Sequence, residues 1–285
     1  MGDNIDIGVM ETLPAEKSLT DTFFDNGFAV LRGVVDVEAA TTLHDTLMRN
    51  YMKRLEKYGR FAKDGESNVL SFAKSIVQSH DAADLISQIN TSAEFLAALE
   101  PILGPDISMM NDIGLLVNDP KDDSKVTNKS LHQEQWTGAL TDDLVAWIPL
   151  TSVCEDNTLS VVPGSHFYGV LPHRNREILP INGFSMGGAV NLTTIDVGDA
   201  LIFHSLLVHG TAGRGKRLRV TLTRAYRPTF APMSRRFQAR GFTCVKQSAL
   251  TRIRDALGND ACSPLRIYGG KVSNFPEQLD QEFKY

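Results

Sequence analysis

No stretch of this chain is apolar for long enough to cross a bilayer. No run of Lys and Arg is dense enough to serve a nucleic-acid or membrane surface, and the formal net charge is −5. Cysteine is scarce. Cys154, Cys244 and Cys262 are odd in number and widely spaced, so they form neither a CxxC pair nor a disulfide framework. That favours a reducing, cytoplasmic setting. The first 18 residues lack a charged segment followed by an apolar core, so no signal peptide is expected. Internal repeats, low-complexity tracts and clear linkers are also missing. The 285 residues, 42% of them hydrophobic, are enough for a substantial core and are read as one domain.

What is present changes character near residue 106. Before it, apolar spacing predicts a short helix over 17–26 ended by Gly27, then a strand over 28–31. A long helix is predicted from Val37 to about Lys57, capped by Asp36, with Ala40, Leu43, Leu47, Tyr51 and Leu55 at helical spacing. Its Met48, Arg49 and Met52 are candidates to cover a pocket mouth, with core packing as the alternative. Two further helices are expected over 82–103, the second capped by Ser92. From 106 to 227 the pattern is one of short strands broken by turns: 107–117, 144–150, 159–162, 190–195, 200–203 and a run through 218–223. The charged stretch 118–129 is a candidate lid. Beyond 228 a helix over 248–256 is the one regular feature expected. The fold class is therefore mainly β with flanking helices, a double-stranded β-helix or cupin-like jelly roll. It comprises a helical part (about 17–105), a β-helix core (about 106–227) and an extension (228–285).

The chemistry concentrates in two places. His132 and Glu134 are two residues apart, so on a strand both side chains point the same way, and Gln133 points the other. His209 follows in Leu207-Val208-His209-Gly210-Thr211. Two imidazoles and one carboxylate can occupy one face of an octahedral metal, leaving three positions open, as in non-haem Fe(II) oxygenases. His-X-Glu alone is a common tripeptide. The later His209 and the Arg219 ten residues beyond it set this one apart, because a guanidinium can hold the far carboxylate of a 2-oxo acid. Arg217 shares the alternation face of Arg219, and pattern does not separate them. His204 is the rival of His209; the odd spacing puts the two on opposite faces of one strand, and His209 is preferred. Thr211 is a candidate hydroxyl donor to the cofactor. His166 and His173 are expected to organise the loop after Pro163-Gly164-Ser165.

Taken in order, these residues resemble the phytanoyl-CoA dioxygenase family of Fe(II)/2-oxoglutarate oxygenases. The resemblance runs over roughly residues 20–227. It is carried by Asn26-Gly27-Phe28-Ala29-Val30-Leu31-Arg32-Gly33-Val34, Leu131-His132-Gln133-Glu134, Trp147-Ile148-Pro149-Leu150, Asp156-Asn157-Thr158-Leu159, Val162-Pro163-Gly164-Ser165-His166, Val197-Gly198-Asp199-Ala200-Leu201-Ile202-Phe203, His209-Gly210-Thr211 and Arg219. It implies Fe(II) on His132, Glu134 and His209, with 2-oxoglutarate on the metal, its distal carboxylate on Arg219, and O2 as co-substrate. It places Gln133, Trp147 and Thr211 around the cofactor or substrate; Trp136, two residues after Glu134, is a further candidate for the substrate pocket. Two departures stand out. The family's HxD is HxE here, one C–C bond (about 1.5 Å) longer. Its Asn-Gly is Asn157-Thr158. The ligand carboxylate is retained, which argues against halogenation.

The expectation is thus a dioxygenase that hydroxylates a C–H bond of a small molecule, in the class of specialised metabolites, releasing succinate and CO2. It would act without nucleic acid or membrane, and as a homo- or hetero-oligomer if it assembles. One alternative is a catalytically weak partner subunit of another oxygenase, in which Glu134 fails to hold metal. Another is a cupin-like isomerase needing no 2-oxoglutarate, which leaves Arg219 unexplained.

Overall fold

Local capping starts the helices where the sequence predicts. In the computed structural model, which describes residues 18–59, 72, 80–118, 130–134, 142–155, 157–174, 177–179, 185–211, 217–231 and 241–256, α1 spans Leu19–Asn26. Gly27 ends it at φ 80°, its N–H returning to the Phe23 carbonyl at 2.7 Å. Asp36 caps α2 (Val37–Tyr58), its carboxylate accepting from the Glu38 and Ala39 amides, a contribution of about 1 kcal/mol. Ser92 caps α4 (Ala93–Leu103), which follows α3 (His80–Thr91). No helix among the described residues is long and apolar enough to cross a membrane.

The strands are β1 (Phe28–Leu31), β2 (Ile107–Met110), β3 (Gly114–Asn118), β4 (Leu144–Pro149), β5 (Leu159–Val162), β6 (His173–Arg174), β7 (Glu177–Ile178), β8 (Val190–Leu192), β9 (Ala200–His204), β10 (Val208–Thr211), β11 (Arg219–Pro228) and β12 (Phe242–Lys246). They form a large antiparallel sheet in the order β1-β9-β4-β11-β2-β12, with β3 also on β11. A smaller sheet runs β10-β5-β8, and β6 pairs with β7. The two larger sheets make a jelly roll. The predicted strand over 107–117 is two strands, and each finds its own place along the long β11. The strand β12, which the sequence pattern does not announce, pairs along β2. A final helix, α5, spans Ala249–Ala256.

Period-two alternation sorts the side chains of the large sheet. Ala29, Ala146, Ile148, Ile202, Val220, Leu222 and Tyr226 face outward and join Leu43, Leu47, Phe95 and Leu99 of the helices in one core. Val145, Trp147, Leu201 and Phe203 face inward, against Leu159 and Val161 of the small sheet. The helix α2 therefore lies on the outer face, with Met48 and Tyr51 over Leu115, Val117 and Val220. Met48 thus packs against the core, and Met52 is exposed. The candidate lid after Asn118 and the predicted site residue Trp136 lie outside the described residues.

The turn at Gly27 ties α1 to the loop that follows β5. A Cβ there would stand 2.5 Å from His166 Nδ1 and 3.0 Å from Leu207, on a backbone with φ 80°. Gly27→Ala is expected to destabilise the protein by about 2 kcal/mol, seen as a lower urea midpoint at unchanged slope. A midpoint equal to the parent's would show that this turn and the His166 loop are not packed as described.

Candidate metal centre

The site begins with a backbone pairing. His132 and His209 form an antiparallel bridge in which each N–H donates to the other's carbonyl, at 2.8 and 2.9 Å. Directly opposed residues send their side chains to one face, and the two rings lie 4.3 Å apart, with Phe203 4.4 Å from His209. Glu134, two residues on, keeps that face. Its N–H donates to the Ser205 carbonyl at 3.0 Å. Its Oε1 lies 3.7 Å from His132 Nε2 and 3.5 Å from His209 Nε2. The three ligating atoms all fall within 4.8 Å of one another.

The protonation pattern fits a cation. His132 Nδ1 is 2.6 Å from the Ser130 carbonyl and His209 Nδ1 is 3.0 Å from the Leu207 carbonyl. A carbonyl only accepts, so each Nδ1 carries the proton and each Nε2 presents a lone pair. Burial, and then the neighbouring His209, hold the His132 pKa down to about 4, so it is neutral near pH 7. Two lone pairs and a carboxylate converge. Ligands about 2.1 Å from a metal at right angles sit roughly 3 Å apart, so these three groups, all within 4.8 Å of one another, would draw together on a metal. The longer glutamate reaches both imidazoles. Glu134 is 20% exposed against 2% and 6% for the histidines, so solvent meets the centre from its side.

Gln133 turns the other way, as alternation predicts. Its amide donates to the Gly169 and Leu206 carbonyls at 2.8 and 2.7 Å and accepts from the Leu171 N–H at 2.9 Å. It staples three chain segments together behind the ligands, where the resemblance had placed it at the cofactor. Ser165 adds a further tie, its hydroxyl accepting the Val208 N–H at 2.8 Å. His204 ends β9 on the outward face, away from the triad, with Nδ1 accepting the Leu206 N–H.

Arg219 and Arg217 separate cleanly. Arg217 is exposed before β11 begins, whereas Arg219 is 2% exposed on its inner face. Arg219 Nη1 donates to the Asn157 and Thr158 carbonyls at 2.6 and 2.7 Å, and Nη2 to Asn118 Oδ1 at 2.9 Å. Its guanidinium lies 5.4 Å from the Trp147 ring. Burial lowers its pKa to about 10, which leaves it charged. Its hydrogen-bond partners among the described residues are neutral, and its Nε has none. An enclosed cation with neutral partners is costly unless an anion joins it. Nearby, Trp147 Nε1 and Thr221 Oγ1 are buried without a hydrogen-bond partner among the described residues. These donors suit a carboxylate. Thr211 shares the inner face of β10 with His209, opposite Leu159. Thr158, whose carbonyl accepts from Arg219, immediately precedes β5 and is three residues from Val161, the ladder partner of His209, a rise of about 10 Å. Sequence reasoning missed Asn118 and Thr221; only their register opposite or beside Arg219 marks them.

Residues 23–220 match the phytanoyl-CoA dioxygenase (PhyH) family. The chain is 26% identical to human peroxisomal phytanoyl-CoA dioxygenase over 206 residues, covering 66% of this chain and 60% of that protein. It is 26% identical to the Bos taurus enzyme over 211 residues, covering 67% and 62%. The matched segment thus spans about three-fifths of those relatives. Among solved structures, the non-heme monooxygenase ThoJ is similar at TM-score 0.59 and 19% identity, over 81% of this chain and 84% of that one. The epimerase SnoN, solved with Fe3+, alpha ketoglutarate and nogalamycin RO, is similar at TM-score 0.54 and 17% identity, over 76% and 85%. AviO1 from Streptomyces viridochromogenes Tue57 follows at TM-score 0.53 and 17% identity, over 76% and 96%. At these identities the structures establish the shared jelly-roll fold.

The staple behind the ligands generates a stability prediction. Gln133→Ala strands the Leu171 N–H and two carbonyls, and is expected to cost at least about 2 kcal/mol, a fall of about 5 °C in the thermal midpoint. A variant with an unchanged midpoint would contradict the staple.

Proposed function

The chain belongs to the phytanoyl-CoA dioxygenase family, and from that premise we propose that it is a non-haem iron, 2-oxoglutarate-dependent dioxygenase that hydroxylates a C–H bond of a small molecule. One observation carries the reading: a His–Glu–His acceptor set and a buried guanidinium with neutral partners share one interior. His132, Glu134 and His209 would hold Fe(II), and three protein ligands would leave room on it for 2-oxoglutarate and O2. Arg219 receives the far carboxylate through charge-assisted hydrogen bonds, with the Thr211 hydroxyl and Trp147 beside it. Bound together, Fe(II) and 2-oxoglutarate supply O2 activation coupled to decarboxylation of the 2-oxo acid to succinate and CO2, one oxygen atom going to succinate and one to the substrate carbon.

The work of the chain is placement and dryness. Phe203, Leu159 and Val161 wall the interior with apolar surface, which keeps bulk water from competing for the reactive positions. The bonds from Ser130 and Leu207 hold both imidazoles in the ligating tautomer. Substrate is proposed to approach from the side of Glu134, where the centre opens to solvent. SnoN, similar in fold, was solved with Fe3+, alpha ketoglutarate and nogalamycin RO. We extend that kind of ligand combination to this chain, with a specialised metabolite as the substrate class.

The test is Fe(II)-dependent conversion of 2-oxoglutarate to succinate, run with a panel of small molecules. Wild type is expected to turn over, and His209→Ala to lose turnover. Arg219→Ala is expected to raise the half-saturating 2-oxoglutarate concentration by about 10–100-fold, the loss of charged hydrogen bonds worth about 1.5–3 kcal/mol. Conversion that is indifferent to Arg219, or absent under every condition, sinks the assignment.

A further inference from the structure

A second buried guanidinium on the inner face of β11 has no part in the chemistry above. Arg227 lies on the same face as Arg219, and Asp143 sits one residue before β4. Both side chains are fully enclosed, with Arg227 Nε 3.5 Å from Asp143 Oδ1. Arg227 Nη2 also donates to the Ala231 carbonyl at 3.0 Å, and its guanidinium lies 5.3 Å from the Phe242 ring. Taking two charges out of water costs several kcal/mol per ion, and apolar residues of equal volume often stabilise a core as well or better. Stability alone is therefore a poor reason for this pair.

Its connections point elsewhere. The Asp143 carbonyl accepts the Ser205 N–H at 3.1 Å, and the Ser205 carbonyl accepts the Glu134 N–H at 3.0 Å. One residue, Ser205, thus separates the buried pair's own backbone from that of Glu134. Ser205 is itself fully buried, so this chain of bonds runs through closely packed interior. Glutamate has one more rotatable bond than aspartate, and its carboxylate meets two imidazoles only if its backbone is held at the right height.

We propose that the Asp143–Arg227 pair is a positioning element for the metal centre. It pins the Asp143 peptide to the large sheet, and the Asp143–Ser205–Glu134 bonds then set where the Glu134 carboxylate stands. The proposal rests on the reading of His132, Glu134 and His209 as metal ligands.

The experiment is anaerobic Co(II) titration followed by visible absorption, with thermal midpoints measured on the same samples. Wild type is compared with Asp143→Leu/Arg227→Met, which removes both charges at similar volume, and with Arg32→Met, which breaks the Arg32–Asp199 pair elsewhere. The double variant is expected to keep its midpoint within a few degrees. It is expected to bind Co(II) about 10–100-fold more weakly, with an altered spectrum. Arg32→Met is expected to match wild type in both respects. Should the double variant fail to fold, Asp143→Asn/Arg227→Gln removes both charges and keeps polar side chains at both positions; at least a threefold weaker Co(II) affinity is expected. Unchanged affinity and spectrum in a folded pair variant overturns the positioning role and leaves the ligands standing. Absence of Co(II) binding in wild type overturns the ligand reading itself, and the proposal with it.

Discussion

Two backbone hydrogen bonds between His132 and His209 determine where the rest of the site stands. They lock a short segment against β10 in a register that opposes the two histidines, and the pleat does the remainder. Glu134 falls on the ligand face because it is two residues on. Gln133 falls on the other face for the same reason, and there it ties the loop at Gly169–Leu171 to Leu206. A one-residue slip would reverse every one of these assignments. The bonds from Gln133, Ser165 and Ser205 all act against such a slip.

The jelly roll divides stability from chemistry between the two faces of one sheet. Its outer face is almost wholly apolar and packs on the helices. Its inner face mixes Val145, Leu201 and Phe203 with Arg219, Thr221 and Arg227 on β11. Polar groups in such an interior are expensive unless they are satisfied. The large helix-covered core supplies the favourable burial that tolerates them. Arg219 is held at Nη1 and Nη2 by two carbonyls and an amide, which fix it in place without neutralising it. That is the state a cation needs if its anion is a ligand that comes and goes.

Much of this was legible from one sequence. Caps at Asp36 and Ser92 set the helix starts, and the alternation through Leu218–Thr223 correctly sorted the faces of β11. The ligand face of His132 and Glu134 followed from period two alone. Pattern could not choose between Arg217 and Arg219, because both share parity. The choice depends on where β11 begins, which is a matter of pairing with Asn118. The break at residues 111–113 and the strand β12 were illegible for a related reason: each answers to a sheet edge contributed by distant residues. Gln133 is instructive in the other direction. Simple alternation turned it away from the centre, whereas the family resemblance placed it at the cofactor, and its three backbone bonds follow the alternation.

In the proposed reading, His132, Glu134 and His209 hold iron with 2-oxoglutarate upon it. The most direct measurement is an anaerobic titration of the purified protein with Fe(II) and 2-oxoglutarate, followed by visible absorption. A metal-to-ligand charge-transfer band is expected that saturates at one iron per chain, needs both components and weakens in Glu134→Ala. No band, together with no iron retained by the wild-type protein, would contradict it and would return the chain to the role of a non-catalytic partner.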